Sequence, residues 1–595
     1  MCGVVAILSR EGINNYHINI AKKTIELLRH RGPDDQNIWL DNSNGIIIGH
    51  TRLSIIDLSD NASQPMKKNN VVISFNGELY NYKEIRKILE YKGHVFHSES
   101  DTEVVLESWI EWGDECFSKF DGMFAVAIWD HERLIIGSDP LGEKTLYYTK
   151  TLFGWIVCSE LSVLKKVFEL NIQLDSEQIS SFMSLGYISA PKTAFKNTYR
   201  LMPAEIVSLY KDKPLRKKKY WNIPEFTVHQ GRSLPLSEQQ LDDVADKILI
   251  SLKRRMISDA PMCLFLSAGV DSSLVAAMIK KELHHDIDCV TVTFKDKKTN
   301  NEAIQAKEFS DFLGLKLHNV VIDPGDNKSL TNSVINHFGQ PFESMTSLAI
   351  STMTNSVSDK YKVGLTGFGG DEVFAGYGKH NFVNKYKFWL NMRDNYTSIL
   401  RGVDKLYNYR FNANSSLFGL KRHQKYIALK NYPLFPLLQS IDGFDEWVEN
   451  NYSSTNNIEL EVYMEEIKNV LPNSRCISVD LGSMKSSMEL RTPFLNKDLV
   501  ELLSTYNYRS LTSFGQKSIL RHLLKRYVPD NLVDRPKQGF SFPNSWLIEQ
   551  ERYNNTINNT LPVNFRALLK KYDCGRNCMK MNTKFLILSE FLKQK

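Results

Sequence analysis

The sequence predicts two domains of different architecture: an α+β domain of sheets packed on each other or on helices, then an α/β domain around a buried parallel sheet. Three observations lead there. At 595 residues the chain is too long for one hydrophobic core. Up to about Ala204 it runs in short alternating apolar segments broken by turn signals, and from about Leu241 it changes to apolar strand, glycine-bearing loop and helix.

In the first part VVISFNGELYN, MFAVAIWD, LIIGSD and WIVCSE carry the β-branched and aromatic loading of strands, with helical stretches such as HINIAKKTIELLRH between them. We place this domain at 1–205 and a connector at 206–240, which holds the basic run KDKPLRKKKY and the polar TVHQGRSLPLSEQQ. The basic run reads as a solvated linker or hairpin, since no aromatic-rich strand pattern accompanies it as an RNA site would require. The second domain, 241–595, opens with PMCLFL, short and continuously apolar like a strand buried on both faces, and then DSSLVAAMIKKEL with a helical period. CVTVTF and KVGLTG repeat the strand signal, whereas about Lys379 to Ile477 is helix-like and carries no interpretable motif.

Composition narrows the function. With 42% hydrophobic and 24% charged residues and a net charge of +6, the chain reads as an ordinary globular protein with no mandate for nucleic acid or a membrane surface as partner. Its eight cysteines are scattered without metal-ligand spacing, and the close pair DCGRNC lacks a second pair at finger spacing. No signal-peptide pattern is present, and no run approaches the roughly 20 apolar residues of a membrane span. The expected location is the cytoplasm.

Two loops carry chemistry. LSAGVDSS, Leu266 to Ser273, lies between an apolar strand and a helix, so its backbone N–H groups and the helix N-terminus form an anion cradle suited to pyrophosphate. Ser267, Ser272 and Ser273 add hydroxyl donors, Gly269 permits close approach, and Asp271 makes sense if it holds Mg²⁺. TGFGGDEVFAGY, Thr366 to Tyr377, follows the strand-like KVGL and offers Asp371 as a second oxygen ligand for the same metal. Two such loops belong at the carboxyl edge of a parallel sheet.

LSAGVDSS resembles the PP-loop of ATP pyrophosphatases, and the whole chain resembles the glutamine-dependent asparagine synthetases. MCGVVAI, RHRGPDD, GHTRLSIID, FNGELYNYKEIR, SDTEVV, DGMFAVAIWD, SDPLGEKTLYY, both loops above, SMKSSMELRTPFLN and RPKQGFSFP occur in the family's order. The resemblance implies that the first domain is a four-layer αββα sandwich of the N-terminal-nucleophile (Ntn) hydrolase class and the second a PP-loop α/β domain with additional C-terminal helices. It implies that Met1 is removed and Cys2 becomes the nucleophile of a glutaminase. A terminal amine of pKa about 8 can take the proton of a thiol of about 8.5. Asn76 and Gly77 match the oxyanion hole, Arg52 the residue that grips the glutamine α-carboxylate, and Glu78 and Asp101 the acceptors of its α-ammonium. Leu266, Ser267, Gly269, Asp271, Ser272, Ser273, Thr366 and Gly367 match the ATP site, Asp271 and Asp371 the Mg²⁺ ligands, and Lys537 a lysine that stabilises charge during adenylation. Ammonia would pass between the sites inside the protein. ATP and Mg²⁺ are the only cofactors implied, with no organic prosthetic group, and a homodimer is the implied assembly.

This chain departs from the family in four places. Ala268 replaces a usual glycine, tolerable if its φ is negative. Ser138 replaces an arginine and Thr145 a proline, so an ion pair near the glutaminase is expected to be missing. Phe368 stands where asparagine synthetases carry a carboxylate that takes a proton as ammonia attacks the acyl-adenylate, and a phenyl ring has no lone pair for that. Either another group such as Glu372, phosphate or water takes the proton, or the acceptor is a more apolar carboxylate than aspartate, or this half is slow. Related β-lactam-forming enzymes have tyrosine there but are not known for an intact glutaminase cysteine. Two rival classes are a PP-loop enzyme acting on tRNA, which the missing basic stripe opposes, and a non-catalytic relative, which the intact Cys2, Asp271, Asp371 and Lys537 oppose.

Overall fold

Along strand β1 (Gly3–Ser9) every residue is buried, because the strand lies in the middle of its sheet and both faces of that sheet are covered. Val4, Ala6 and Leu8 point to one side, into a core shared with Val72, Ala125 and Ala127 of a second sheet. Ile7 points to the other, against Ile20, Ala21 and Leu28 of the helix Asn15–Leu28. The period of two thus places the same strand in two cores. The computed structural model describes residues 2–168, 170–226, 234–294, 301–322, 336–380, 457–512 and 515–535, with isolated positions 383, 584, 587, 588 and 591.

The strands that follow are β2 (Asp35–Asp41), β3 (Ile46–Arg52), β4 (Met66–Lys68), β5 (Val71–Leu79), β6 (Gly122–Trp129), β7 (Leu134–Ser138), β8 (Tyr147–Lys150), β9 (Gly154–Cys158), β10 (Thr198–Arg200), β11 (Glu205–Leu209) and β12 (Arg216–Lys219). They form two six-stranded sheets of order β10-β8-β9-β1-β3-β2 and β12-β11-β7-β6-β5-β4, antiparallel throughout. The outer face of the second sheet packs Ile73, Phe75, Val126 and Ile128 on the helices Tyr82–Tyr91 and Asp101–Trp112. Helix, sheet, sheet, helix is the expected αββα sandwich. The covering helix Asn15–Leu28 starts with a reciprocal cap, the Asn14 side chain accepting from the His17 N–H while the His17 ring accepts from the Asn14 N–H.

The expected connector, 206–240, is shorter than the sequence suggests. β11 pairs with β7 and β12 with β11, so the first domain's second sheet continues to Lys219. Val207 and Leu209 are buried in the intersheet core, a signal outweighed in the sequence by the basic run beside them. That run is the edge strand RKKK, exposed along its length, and lysines on an edge discourage pairing with another chain.

The second domain is built on β13 (Met262–Phe265), β14 (Asp288–Phe294), β15 (Leu317–Ile322), β16 (Val363–Leu365) and β17 (Glu489–Arg491). They form one parallel sheet of order β15-β14-β13-β16-β17. The helix Glu238–Arg255 buries Leu241, Val244, Ile248 and Leu252 at helical spacing against it. Of the stretch 379–477, residues 381–382 and 384–456 lie outside the description. The part from 457 is helical, and Glu466–Cys476 is wound as a π-helix with Pro472 inside it.

Two buried guanidinium groups stitch the domains together. Arg31, fully buried, donates to the Cys2 carbonyl at 2.9 Å, to Glu160 at 3.0 Å and across the interface to Asp480 at 3.0 Å. Thr145 donates its hydroxyl to the other Asp480 oxygen at 2.9 Å, and Ser138 donates to the Met202 carbonyl at 2.5 Å. The two departures from the family pattern therefore keep polar contacts of their own. Arg491 makes the second stitch, 3.2 Å from Glu78 of the first domain. Arg31→Met leaves Glu160 and Asp480 buried without their shared cation and should destabilise the protein by about 3–5 kcal/mol. Differential scanning calorimetry checks this, and an unchanged melting temperature would show that the ion pair does not hold the interface.

Candidate functional site

The first site forms beside the start of β1. Gly3 pairs with Thr51 of β3, which brings Cys2 level with Arg52. From the facing sheet, Asn76 of β5 accepts the Cys2 N–H on its Oδ1 at 2.9 Å. Its Nδ2 is buried with no hydrogen-bond partner, which leaves a donor aimed into the site. Gly77 has φ +150°, and a Cβ there would lie 2.0 Å from the Met123 carbonyl oxygen. Only glycine fits, and this keeps the β5 backbone against β6 at the point where Asn76 must turn inward.

Burial pushes the Cys2 thiol above its usual value, and the Leu53 backbone and Arg52 guanidinium offset this only in part. Arg52 is itself buried and donates to the carbonyls of Ser59, at 2.9 Å, and Asp57. Asp101 accepts the Leu79 N–H at 2.8 Å, and burial raises its pKa to about 6. Glu78 lies close to both Asp101 and Glu489; burial and these neighbours hold it well above the usual carboxylate range, against the pull of Arg491. The six expected residues of the glutaminase half converge, and Glu489 and Arg491 join them from the other domain.

The second site lies at the carboxyl ends of β13 and β16. The loop after β13 is tied by Ser272, whose hydroxyl accepts the Ser267 N–H at 3.1 Å and lies 3.0 Å from the Ser267 hydroxyl. Ser267 in turn accepts the Gly269 N–H at 3.1 Å. Ala268 is not among the residues with positive φ, so the loop takes this alanine without strain. The loop after β16 packs directly on the first: a Cβ on Gly367 would sit 2.7 Å from the Ser272 nitrogen, and one on Gly370 2.7 Å from the Asp271 carboxyl carbon. Those two glycines let the loops touch, and the touching brings Asp271 and Asp371 to one point.

Lys517 occupies that point. Its ammonium pairs with Asp271 and lies 2.9 Å from Asp371 Oδ1. Burial works against the charge on Lys517, yet the two carboxylates outweigh it and raise its pKa. Two carboxylates that share one cation have the spacing and chemistry to hold Mg²⁺. A cavity of about 380 Å³ opens over them, lined by both loops and by Arg475, Arg521 and Arg535, within the size range of small-molecule sites. Phe368 lines this cavity and also a smaller one of about 10 Å³, roughly the space of one water. The smaller one draws Glu143 and Lys144 from the first domain and Leu490 and Thr492 from the second.

Sequence reasoning missed Lys517, which stands in FGQKSILRHLL without a motif around it, and Arg475, which the π-helix turns toward the cavity. Arg491 lies in the ELR of SMKSSMELRTPFLN, but nothing local says that it crosses to Glu78. Lys537 lies outside the described residues. Among the described residues no helix is long and apolar enough to cross a membrane. Lys517→Met removes the shared counter-charge of Asp271 and Asp371 and should tighten Mn²⁺ binding to the nucleotide-free protein by about tenfold. Paramagnetic resonance of bound Mn²⁺ measures it, and unchanged or weaker binding would mean that the carboxylates do not form a cation site.

Comparison with known proteins covers most of the chain. A family described as asparagine synthase matches residues 243–571, and one described as a glutamine amidotransferase domain matches residues 1–221. Asparagine synthetase (glutamine-hydrolyzing) 1 of Bacillus subtilis is 28% identical over 581 residues, covering 92% of this chain and 88% of its own. Asparagine synthetase (glutamine-hydrolyzing) 3 of the same organism is 26% identical, covering 91% and 87%. Amidase chry2 of Gibberella zeae is 25% identical, covering 91% and 89%.

Proposed function

Because the chain belongs to the asparagine synthase family, we propose that it is a glutamine-dependent, AMP-forming amide ligase that hydrolyses glutamine at Cys2 and uses the ammonia to amidate an ATP-activated carboxylate, with aspartate as the acceptor. The observation that carries the reading is the pairing of two complementary sites in one chain: a thiol beside an unsatisfied amide donor, Asn76 Nδ2, and two carboxylates converging under an arginine-lined cavity.

In the first site burial disfavours the Cys2 thiolate, so the thiol needs a base. The α-amine freed by loss of Met1 takes the proton. The sulfur then attacks the side-chain amide of glutamine, Asn76 Nδ2 and the Gly77 N–H receive the developing oxyanion, ammonia leaves, and water cleaves the thioester. Arg52 holds the α-carboxylate, and Glu78 and Asp101 hold the α-ammonium. Ammonia moves along the interface past the small cavity at Phe368, whose walls come from both domains.

In the second site the backbone of Leu266, Thr366 and Gly367 and the loop residues Ser267, Gly269, Ser272 and Ser273 receive ATP, with Lys517 and Lys537 as cations for its phosphates. Asp271 and Asp371 would hold Mg²⁺, which supplies charge neutralisation for the pyrophosphate leaving group. The substrate carboxylate displaces pyrophosphate to give an acyl-adenylate, and ammonia displaces AMP. A second reading of the acceptor rests on Phe368, which packs on the apolar cluster of Phe265, Val290 and Met353. That wall suits a more apolar carboxylate, and one relative carries the name amidase.

Cys2→Ala should abolish activity with glutamine and leave synthesis from added ammonia. Loss of both would contradict the two-site reading, and mass spectrometry of the amide formed from a panel of carboxylates identifies the acceptor. Asp101, with its pKa raised to about 6, is neutral below that pH and charged above it. Glutamine binding to Cys2→Ala should therefore weaken as the pH falls through about 6. Calorimetry reads the trend, and pH-independent binding between 5 and 7 would remove Asp101 from the ammonium site.

A further inference from the structure

Arg491 belongs to β17 of the second domain, yet its side chain ends in the first domain's site. It is completely buried and held on every side: Nε donates to Glu489 at 2.6 Å, and one terminal nitrogen donates to the carbonyls of Arg255 and Ile257 at 2.9 and 2.6 Å. Its backbone carbonyl accepts the Thr366 N–H at 3.0 Å, which anchors the residue to the start of the second site's loop. The remaining nitrogen, Nη2, lies 3.2 Å from Glu78 Oε2, but neither atom is in a hydrogen bond although both are buried.

A rigid guanidinium beside a buried carboxylate does two things at that distance. It pulls the carboxylate toward its ionised form, against burial and the neighbouring Glu489, which still hold its pKa above the usual range, and it leaves Oε2 free to accept from a third group. An ammonium requires both. We propose that Arg491 is a positioning residue for glutamine: from the synthetase domain it orients Glu78 toward the substrate's α-ammonium and favours its charged form there, so that glutamine recognition is built by both domains. This rests on the assignment of Glu78 to the α-ammonium under the function proposed above.

The test uses the full chain and two reagents for Cys2. The glutamine analogue 6-diazo-5-oxonorleucine carries the α-amino acid head and alkylates the thiol with loss of N₂; iodoacetamide alkylates the same thiol without that head. In the unaltered protein the analogue should react much faster than iodoacetamide, and equal rates would defeat the glutaminase reading itself. Arg491→Gln should lower the ratio of the two rates by about tenfold or more while the iodoacetamide rate stays constant, which a general distortion of the site would not allow. Arg491→Lys should lower it less, because one ammonium cannot serve Glu489 and Glu78 together as a fork does. Glu78→Gln combined with Arg491→Gln should be no worse than Glu78→Gln alone. An unchanged ratio in Arg491→Gln, or a double variant that falls by the product of the single effects, overturns the proposal. If Arg491→Gln does not fold, Arg491→Lys decides, and a ratio equal to that of the unaltered protein overturns it.

Discussion

Everything in this molecule depends on two arginines that carry full charge into a dry interface. Arg31 reaches from the first domain to Asp480 and Arg491 reaches from the second to Glu78, so each domain lends the other a cation. Buried ion pairs add little net stability compared with apolar packing, but removing one partner is costly. Their effect is therefore one of registry. Glu160, Asp480, Glu78 and Glu489 all lie against these two guanidinium groups, and the Cys2 carbonyl is held at 2.9 Å by Arg31. Cys2 is thus placed by the same contact that joins the halves.

The second site is governed by proximity of backbones. Its loops are tied internally by serine hydroxyls and pressed together where Gly367 and Gly370 offer no side chain. This concentrates two negative charges, and the buried Lys517 answers them. One ammonium thus serves two carboxylates at the wall of the large cavity. Arg475 enters the same cavity from a π-helical segment containing Pro472, a winding associated with functional sites.

Phe368 lies between these sites in every sense. It lines the large cavity and the small one, and it closes the apolar cluster below the sheet. Its ring removes a proton acceptor and adds a greasy wall at the place where ammonia would meet the activated carboxylate. Among the polar groups that line the large cavity with it, Glu372 is buried and accepts the Tyr377 hydroxyl.

Much of this was legible in the sequence. Short apolar runs rich in β-branched and aromatic residues marked β5, β6, β7 and β9, and the change to apolar strand, loop and helix marked the parallel sheet. Cys2, Arg52, Asn76, Gly77, Glu78 and Asp101 were picked out because their short motifs resemble those of a known family, and the two acidic loops from the glycines and carboxylates they hold. The basic run was read as a solvated linker or hairpin, and the structure makes it a hairpin of the first domain, so that the boundary lies beyond 205; its lysines face water along an edge, where charge says nothing about pairing. What tertiary structure alone decided were the partnerships that cross between segments hundreds of residues apart: Arg31 with Asp480, Arg491 with Glu78, Lys517 with Asp271 and Asp371. No local pattern encodes these, since a charged side chain looks the same in sequence whether it ends in solvent or in a dry interface; its meaning comes from the burial that folding imposes and the counter-charge that folding brings to it.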